Sequence, residues 1–474
     1  MGLGISEFLP FIIYGVSLII VVLIFLYGCE IGIVFIASLL PIYAVVNKAL
    51  QLDLPLANDI IDLIIGAMIL ATLFRLAKSP DSDIRPSPML FPIAVLFGYT
   101  LLSYFVGNSF LGIGDLFNLE DSRLKLIKNY MIMPVLYLIT YYNFSDRKWK
   151  YALFIFLFIS FLAADLKFRE SFQWVQHTHY MEKSRIPGTL GFLGPNEWGS
   201  LHSIYTLFVF GLFVVDKQIW RRIGYVIIIL ANSYCLLYSF SRGAYVSFLA
   251  GLLFIGIVRS RKLIVLLLAL LLCWEFIVPF SVVERIKGTY EIQQERTDTV
   301  TVGDTELVTA GRTQLWTMAL EHFFKNPILG TGFNTYSKLT GWDTHNVYLK
   351  TMAEQGIIGL LIYLGLYFMA LKSGWRLYRN ADEQLLKAFG FGFLAAVVGS
   401  IISNLFGDRW IYLQIGGLYW IFWALVDQEN GRIDLNNEKK KDSKEIKNKR
   451  SSFIADALKG FHWKRNIGQI LRVS

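Results

Sequence analysis

The chain has 474 residues, 55% of them hydrophobic and 17% charged, with a mean hydropathy of +0.49. A soluble domain carries about 25% charged and about 45–50% apolar residues, so a disordered chain and an ordinary cytosolic enzyme are both excluded. The formal charge of +9 is uneven: 12 Lys/Arg face 6 Asp/Glu between Gln428 and Ser474, a stretch that reads as a basic cytoplasmic tail and only weakly as a nucleic-acid arm.

Apolar runs succeed one another near 9–28, 31–47, 58–77, 88–106, 127–142, 150–166, 198–215, 222–240, 243–258, 261–280, 345–371, 385–406 and 409–427. A spanning helix needs about 20 apolar residues, so the sequence predicts an all-α polytopic membrane protein of 12 or 13 transmembrane helices. The N-terminus has neither the basic region nor the cleavage site of a removable signal peptide, so its first apolar stretch is expected to stay in the membrane. Loops around Lys78–Arg85, Arg147–Lys150, Lys217–Arg222, Arg259–Lys262 and Lys372–Lys387 hold 15 Lys/Arg, whereas the alternate short loops hold only Lys48, Arg123, Lys125 and Arg409. Excess Lys/Arg marks the cytoplasmic side, which places 167–197 and 281–343 outside and the tail inside. Thirteen spans put the N-terminus outside. One crossing plus a re-entrant piece over 9–47 gives twelve, with both ends inside, and the sequence leaves the two open. The chain thus has three regions: N-terminal transmembrane helices over 1–184, a core over 185–427 that includes the loop 281–343, and the tail over 428–474.

Cys29, Cys235 and Cys273 fall in apolar runs and offer no framework for disulfides or zinc. The long loop is not low-complexity, and a loop of that size with structure of its own is usually functional. Trp316, Ala319, Leu320, Phe323 and Phe324 share one helical face opposite Gln314, Thr317, Glu321 and Lys325. The spacing predicts an amphipathic helix of about 13 residues at the outer membrane interface. Asn326-Pro327 ends it, because proline disfavours helical geometry in the residue before it, and Gly330 and Gly332 then permit a tight turn.

Polar clusters stand out against this background, all on the outer side: Ser239-Phe240-Ser241-Arg242-Gly243; Gly311-Arg312-Thr313-Gln314-Leu315-Trp316; Thr344-His345-Asn346, which opens a span running on through Gln355-Gly356; and, more weakly, Arg185-Ile186-Pro187-Gly188 through Gly194-Pro195-Asn196-Glu197. Charge at membrane depth is costly and usually faces a polar cavity. The arginine fork grips phosphate oxygens with paired charge-assisted bonds, so two arginines in one cavity suit a diphosphate. A nearby histidine can take the proton of an attacking hydroxyl.

These clusters resemble the O-antigen ligase-like membrane proteins, which include O-antigen ligases and O-antigen or exopolysaccharide polymerases. The resemblance rests on SFSRGAYVSFLAG at 239–251, GRTQLWTMALEHFFKNPILGTGFNTY at 311–336, THNVYLKTMAEQGIIGL at 344–360 and GTLGFLGPNEWGS at 188–200. It covers roughly 185–425; the first half agrees mainly in hydropathy. It implies inverting, metal-independent transfer of a glycan from undecaprenyl diphosphate to an acceptor hydroxyl, on the periplasmic face of the bacterial inner membrane. The acceptor is a lipid A–core sugar for a ligase and another lipid-linked repeat for a polymerase. By the resemblance, Arg242 and Arg312 bind the diphosphate and stabilise its departing charge, and His345 orients or deprotonates the acceptor. Arg185, Asn196, Ser241, Asn346, Gln355 and Arg409 are expected around them as substrate-binding residues. No nucleotide, flavin or metal cofactor and no nucleic acid is called for; membrane lipids are the other expected partner.

The bland readings are stated beside these. Arg242 at a helix end is also placed to snorkel to headgroups, Arg312 to pair with Asp304 or Glu306, and His345 to cap the span after it. Lys350 and Glu354 can pair along one helix or line the cavity. His322 reads as structural, and His177 with His179 lacks a third metal ligand. Asp81-Ser82-Asp83 has the metal-chelating DxD pattern but reads as a solvated cytoplasmic turn. The rival function is a transporter or flippase of lipid-linked oligosaccharide. Such proteins often show internal repeats and broken helices near mid-membrane, and no repeat relates the halves of this chain.

Overall fold

The computed structural model describes residues 5–43, 60–78, 86–114, 121–144, 146–172, 175–181, 185, 193–288, 299–302, 305–308 and 312–470. In chain order its helices are α1 Ile5–Tyr27, α2 Cys29–Leu39 with a 3-10 turn Leu40–Ile42, α3 Ile60–Lys78, α4 Leu90–Phe110, α5 Ser122–Asn143, α6 Arg147–Glu170 and the short α7 Val175–Thr178. Then come α8 Pro195–Val215, α9 Ile219–Tyr238, α10 Arg242–Arg259, α11 Arg261–Leu272, α12 Trp274–Ile277 and α13 Phe280–Lys287. After the strands β1 Thr299–Val302 and β2 Thr305–Val308 lie α14 Arg312–Lys325, α15 Tyr336–Thr340, α16 Val347–Asn380, α17 Gln384–Ser403 and α18 Leu413–Ile470. The chain divides into two compact units, 1–427 and 428–474.

Among the described residues seven helices are long and apolar enough to cross a membrane: α3, α4, α6, α8, α10, α16 and α17. This is an all-α, multi-pass membrane protein. Three expectations are refined. The predicted span 261–280 is broken: α11 has 12 residues, about 18 Å of helix against a hydrocarbon core of about 30 Å, and Cys273 and Pro279 interrupt the remainder of the apolar run. The apolar stretch 9–47 breaks at Gly28, whose φ of 120° no L side chain tolerates well. The long loop is not purely helical, because β1 and β2 pair antiparallel within it, Thr299 opposite Val308. Asp81-Ser82-Asp83 lies outside the described residues.

The core sits on α8, which is buried around almost its whole circumference, as expected of a helix apolar on every side. It packs hardest on α17, through glycine: a Cβ on Gly211 would strike the Gly392 backbone, and one on Gly392 would strike the Phe208 carbonyl. With apolar lipid outside, such small-residue contacts supply packing that a hydrophobic driving force cannot. Phe208 stacks on Phe422 at 4.6 Å between ring centroids, and Phe154 and Phe389 close the same aromatic layer. Short connections make α8, α9 and α10 antiparallel neighbours. As a result the starts of α8, α10 and α16 and the ends of α6, α9 and α17 share one end of the bundle, and that end carries the polar clusters.

In the 428–474 unit the helix is exposed over 436–445, with ion pairs along it, Arg432 with Glu429 at 2.8 Å and Lys449 with Glu445 at 2.9 Å.

Candidate active site

Each polar cluster occupies a helix start. Gly194-Pro195 opens α8 with proline at its first position, where a missing N–H costs nothing, and Glu197 lies in the first turn. Ser241 precedes α10 after Phe240, a non-glycine residue at φ 51°. Asn346 caps α16: its side-chain oxygen accepts from the Tyr348 and Leu349 N–H groups at 3.0 and 3.2 Å. Arg312 opens α14.

Contacts bring these starts together. A Cβ on Gly199 would meet Ser239, Ser241 and Ala244, so α8 and the Ser239–Ala244 turn touch. A Cβ on Gly243 would meet Phe406, which sets Arg242 beside the turn after α17. That turn is tied to α16 by the Val347 N–H, which donates to the Asn404 carbonyl at 3.1 Å. Arg185 donates to Asn196 Oδ1 at 2.9 Å and to the Ser239 carbonyl at 3.5 Å, joining the segment before α8 to the α9–α10 turn.

Arg409 is at the centre. It is 3% exposed, forms an ion pair with Glu197, donates to the Phe406 carbonyl at 3.2 Å and has an unpartnered Nε. Its neighbour Asp408 binds Lys350 Nζ at 3.2 Å. Burial, then the Glu197 carboxylate, pushes the Tyr412 hydroxyl up to about 12. Arg312, half-buried, has no carboxylate partner among the described residues. Burial, and after it the positive charge of Arg409, lowers its guanidinium from the ordinary value. Two arginines thus sit in mutual electrostatic reach, one of them uncompensated: a place prepared for an anion.

His345 is exposed in the α14–α16 connection, at φ 50°, with its N–H 3.3 Å from Asp343 Oδ1. The buried Thr344 beside it exchanges bonds with Asn346, its hydroxyl donating to the Asn346 carbonyl at 2.9 Å. The Trp316 indole donates to the Thr344 carbonyl at 3.0 Å, so the helix bearing Arg312 and the turn bearing His345 are one assembly.

Gln355 stands apart from the arginines. It lies at a break in α16, where Gly356 has φ 63°, with its side chain over Gly359 and its carbonyl accepting from Tyr99 Oη at 2.6 Å. The backbone of 327–333 fills this break. Ile357 N–H donates to the Pro327 carbonyl at 2.8 Å, Thr331 N–H to Ala353 at 3.0 Å and Gly332 N–H to Glu354 at 2.7 Å. Glu354, 3% exposed, completes the clamp by accepting from Asn334 N–H at 2.9 Å and Tyr336 N–H at 3.2 Å. Lys350 therefore pairs with Asp408, and Glu354 serves the turn.

Asn404, Asp408 and Glu197 were not singled out by sequence reasoning as site residues. The signal was Asp408-Arg409, adjacent charges between two apolar runs. The Asp304 and Glu306 side chains, proposed partners for Arg312, lie outside the described residues.

Residues 225–364 match the O-Antigen ligase family model. This segment is similar to the O-antigen ligase family. The O-antigen ligase match spans Arg242, Arg312, His345, Asn346 and Gln355, and stops short of Arg185, Asn196 and Arg409 on either side. A search of curated proteins returned no match.

Proposed function

We propose that the protein transfers a glycan from undecaprenyl diphosphate to an acceptor hydroxyl on the periplasmic face of the inner membrane, as an O-antigen ligase or surface-polysaccharide polymerase. The observation that carries this reading is Arg312, half-buried, uncompensated among the described residues and pressed by the charge of Arg409.

In this reading Arg312 and Arg242 grip the diphosphate while its polyprenyl tail stays in the bilayer. The acceptor oxygen attacks the anomeric carbon from the face opposite the diphosphate, its proton passes to the His345 imidazole, and the glycosidic C–O bond breaks with inversion. The electron pair leaves on the diphosphate oxygen, where the guanidinium groups offset the growing charge. Preorganised charge of this kind, in a water-poor site, is commonly the largest catalytic term, and no metal is required at the phosphates. Asn196, Arg185 and Ser241 extend the polar wall toward the glycan, and Asn346 caps the start of α16.

A flippase reading draws no support from the broken helix. Transporter breaks offer free helix ends to cargo, whereas the break in α16 is closed by the backbone of 327–333.

The test is purified protein with a synthetic undecaprenyl diphosphate glycan and candidate acceptors. Transfer with release of undecaprenyl diphosphate is expected, as a ladder for a polymerase or a single addition for a ligase. Movement of intact donor across vesicles without transfer would overturn the proposal.

A further inference from the structure

Beneath the first turns of α8, three helices meet around a buried polar knot that the transfer reaction does not use. Asp165 near the end of α6, His202 on α8 and Cys235 near the end of α9 bring a carboxylate oxygen, an imidazole nitrogen and a thiol sulfur within 4.8 Å of one another, all buried. His202 is 0% exposed and Asp165 4%. Both imidazole nitrogens and both carboxylate oxygens lack a hydrogen-bond partner among the described residues, although His202 Nε2 stands 3.5 Å from Asp165 Oδ1. The Cys235 sulfur stands 4.0 Å from the Asp165 carbonyl, beside the Asp165 carboxylate. Asn232, fully buried one turn before Cys235, has an equally unpartnered amide.

Buried polar groups are almost always satisfied, so this many buried polar atoms without a hydrogen bond among the described residues mark a place for a ligand. We propose that Asp165, His202 and Cys235 form a structural binding site for one divalent metal ion of the zinc class. The chemistry of the donor set fits. Zinc takes sulfur, nitrogen and carboxylate oxygen at about 2.0–2.3 Å, which sets tetrahedral donors about 3.3–3.8 Å apart, a spacing reached within the observed 4.8 Å by small side-chain adjustments. The charge fits as well. A carboxylate, a thiolate and a neutral imidazole around a dication sum to zero once the thiol proton has left to solvent, and a neutral unit is what low-dielectric surroundings accept. The Asn232 amide oxygen or a water is placed to supply the fourth ligand. Sequence spacing hid the site, because each ligand comes from a different helix and the three cysteines show no metal-binding pattern.

The ion joins α6, α8 and α9 about 10 Å below Pro195, by helix rise, and so fixes the platform on which Asn196 and Glu197 stand. It touches no phosphate, so the metal independence proposed for transfer is unaffected.

The full chain, purified in detergent without a polyhistidine tag or chelators, is analysed for metals by mass spectrometry and X-ray absorption. About one zinc per chain, with one sulfur in its coordination shell, is expected. Cells grown on cobalt should yield protein with a thiolate-to-cobalt charge-transfer band. Cys235→Ser should remove the band and lower metal content at least tenfold. If that variant does not fold, the sulfur ligand of the wild-type ion decides. Metal-free protein from zinc-supplemented cells, a shell of oxygen and nitrogen alone, or full metal content in a folded Cys235→Ser protein would each overturn the proposal, leaving Asp165 and His202 as an acid–imidazole pair.

Discussion

The Trp316 indole N–H donates to the carbonyl of Thr344 at 3.0 Å, fastening the amphipathic helix that opens with Arg312 to the turn that presents His345. One bond thereby ties the helix bearing Arg312 to the turn bearing His345. Trp316→Phe keeps the ring and removes the donor. Loss of a hydrogen bond costs about 1 kcal/mol, so melting should change little, while kcat should fall several-fold with KM for the donor nearly unchanged. Steady-state kinetics of the purified variant checks this.

Arg312→Ala should leave the protein folded, because the guanidinium is held by no carboxylate among the described residues. Removing a donor that stabilises developing charge typically costs about 100–1,000-fold in rate. Transfer assays beside size-exclusion profiles test it; a wild-type rate would take Arg312 out of the mechanism. Arg409→Ala should behave differently, since it also strands the Glu197 carboxylate, and a lower melting temperature should accompany lost activity.

His345→Ala should slow transfer while donor affinity stays within a few-fold of wild type. The residue is exposed, and its side chain makes no hydrogen bond among the described residues. Equilibrium binding of donor against single-turnover rate separates the two, and a large loss of affinity would reassign the imidazole to the diphosphate.

Glu354 and Gly356 hold the turn that fills α16. Glu354→Ala would leave the Asn334 and Tyr336 N–H groups unsatisfied, at about 1–3 kcal/mol each, and Glu354→Gln, which keeps one acceptor, should be milder. A Cβ at Gly356 would strike the Ile328 carbonyl at a φ of 63°, so Gly356→Ala should cost folded yield outright. Thermal melting in detergent ranks the three.

Acid should loosen the outer end of α4. Hydrogen bonds from Arg123, opposed by burial, hold the Asp121 carboxyl below its ordinary value of 3.8. A depressed folded value contributes stability above the unfolded value and loses it as pH falls through the folded one, here below the ordinary carboxyl value of 3.8. Asp121→Asn should flatten that part of the stability profile, measured by melting across the range.

Much of this was legible in sequence because the membrane makes polar residues conspicuous. Arg242, Arg312 and the Thr344–Asn346 trio stand out against apolar runs, and the Trp316 periodicity places α14 within a residue or so of its bounds. The hidden part depends on distant pairing. Glu354 reads as an i,i+4 partner of Lys350, yet each goes elsewhere, Lys350 to Asp408 and Glu354 to a turn 20 residues upstream, because the kink at Gly356 opens backbone that the turn must fill. The α11 break was masked for a related reason: hydropathy averages over Cys273 and Pro279, whereas helix length does not.

The central claim is tested most directly by the affinity of the purified protein for undecaprenyl diphosphate, measured for wild type, Arg242→Ala and Arg312→Ala. At least a tenfold weaker affinity in each variant, with unchanged melting, is the result expected. Equal affinity in all three would mean that the arginines do not hold the diphosphate.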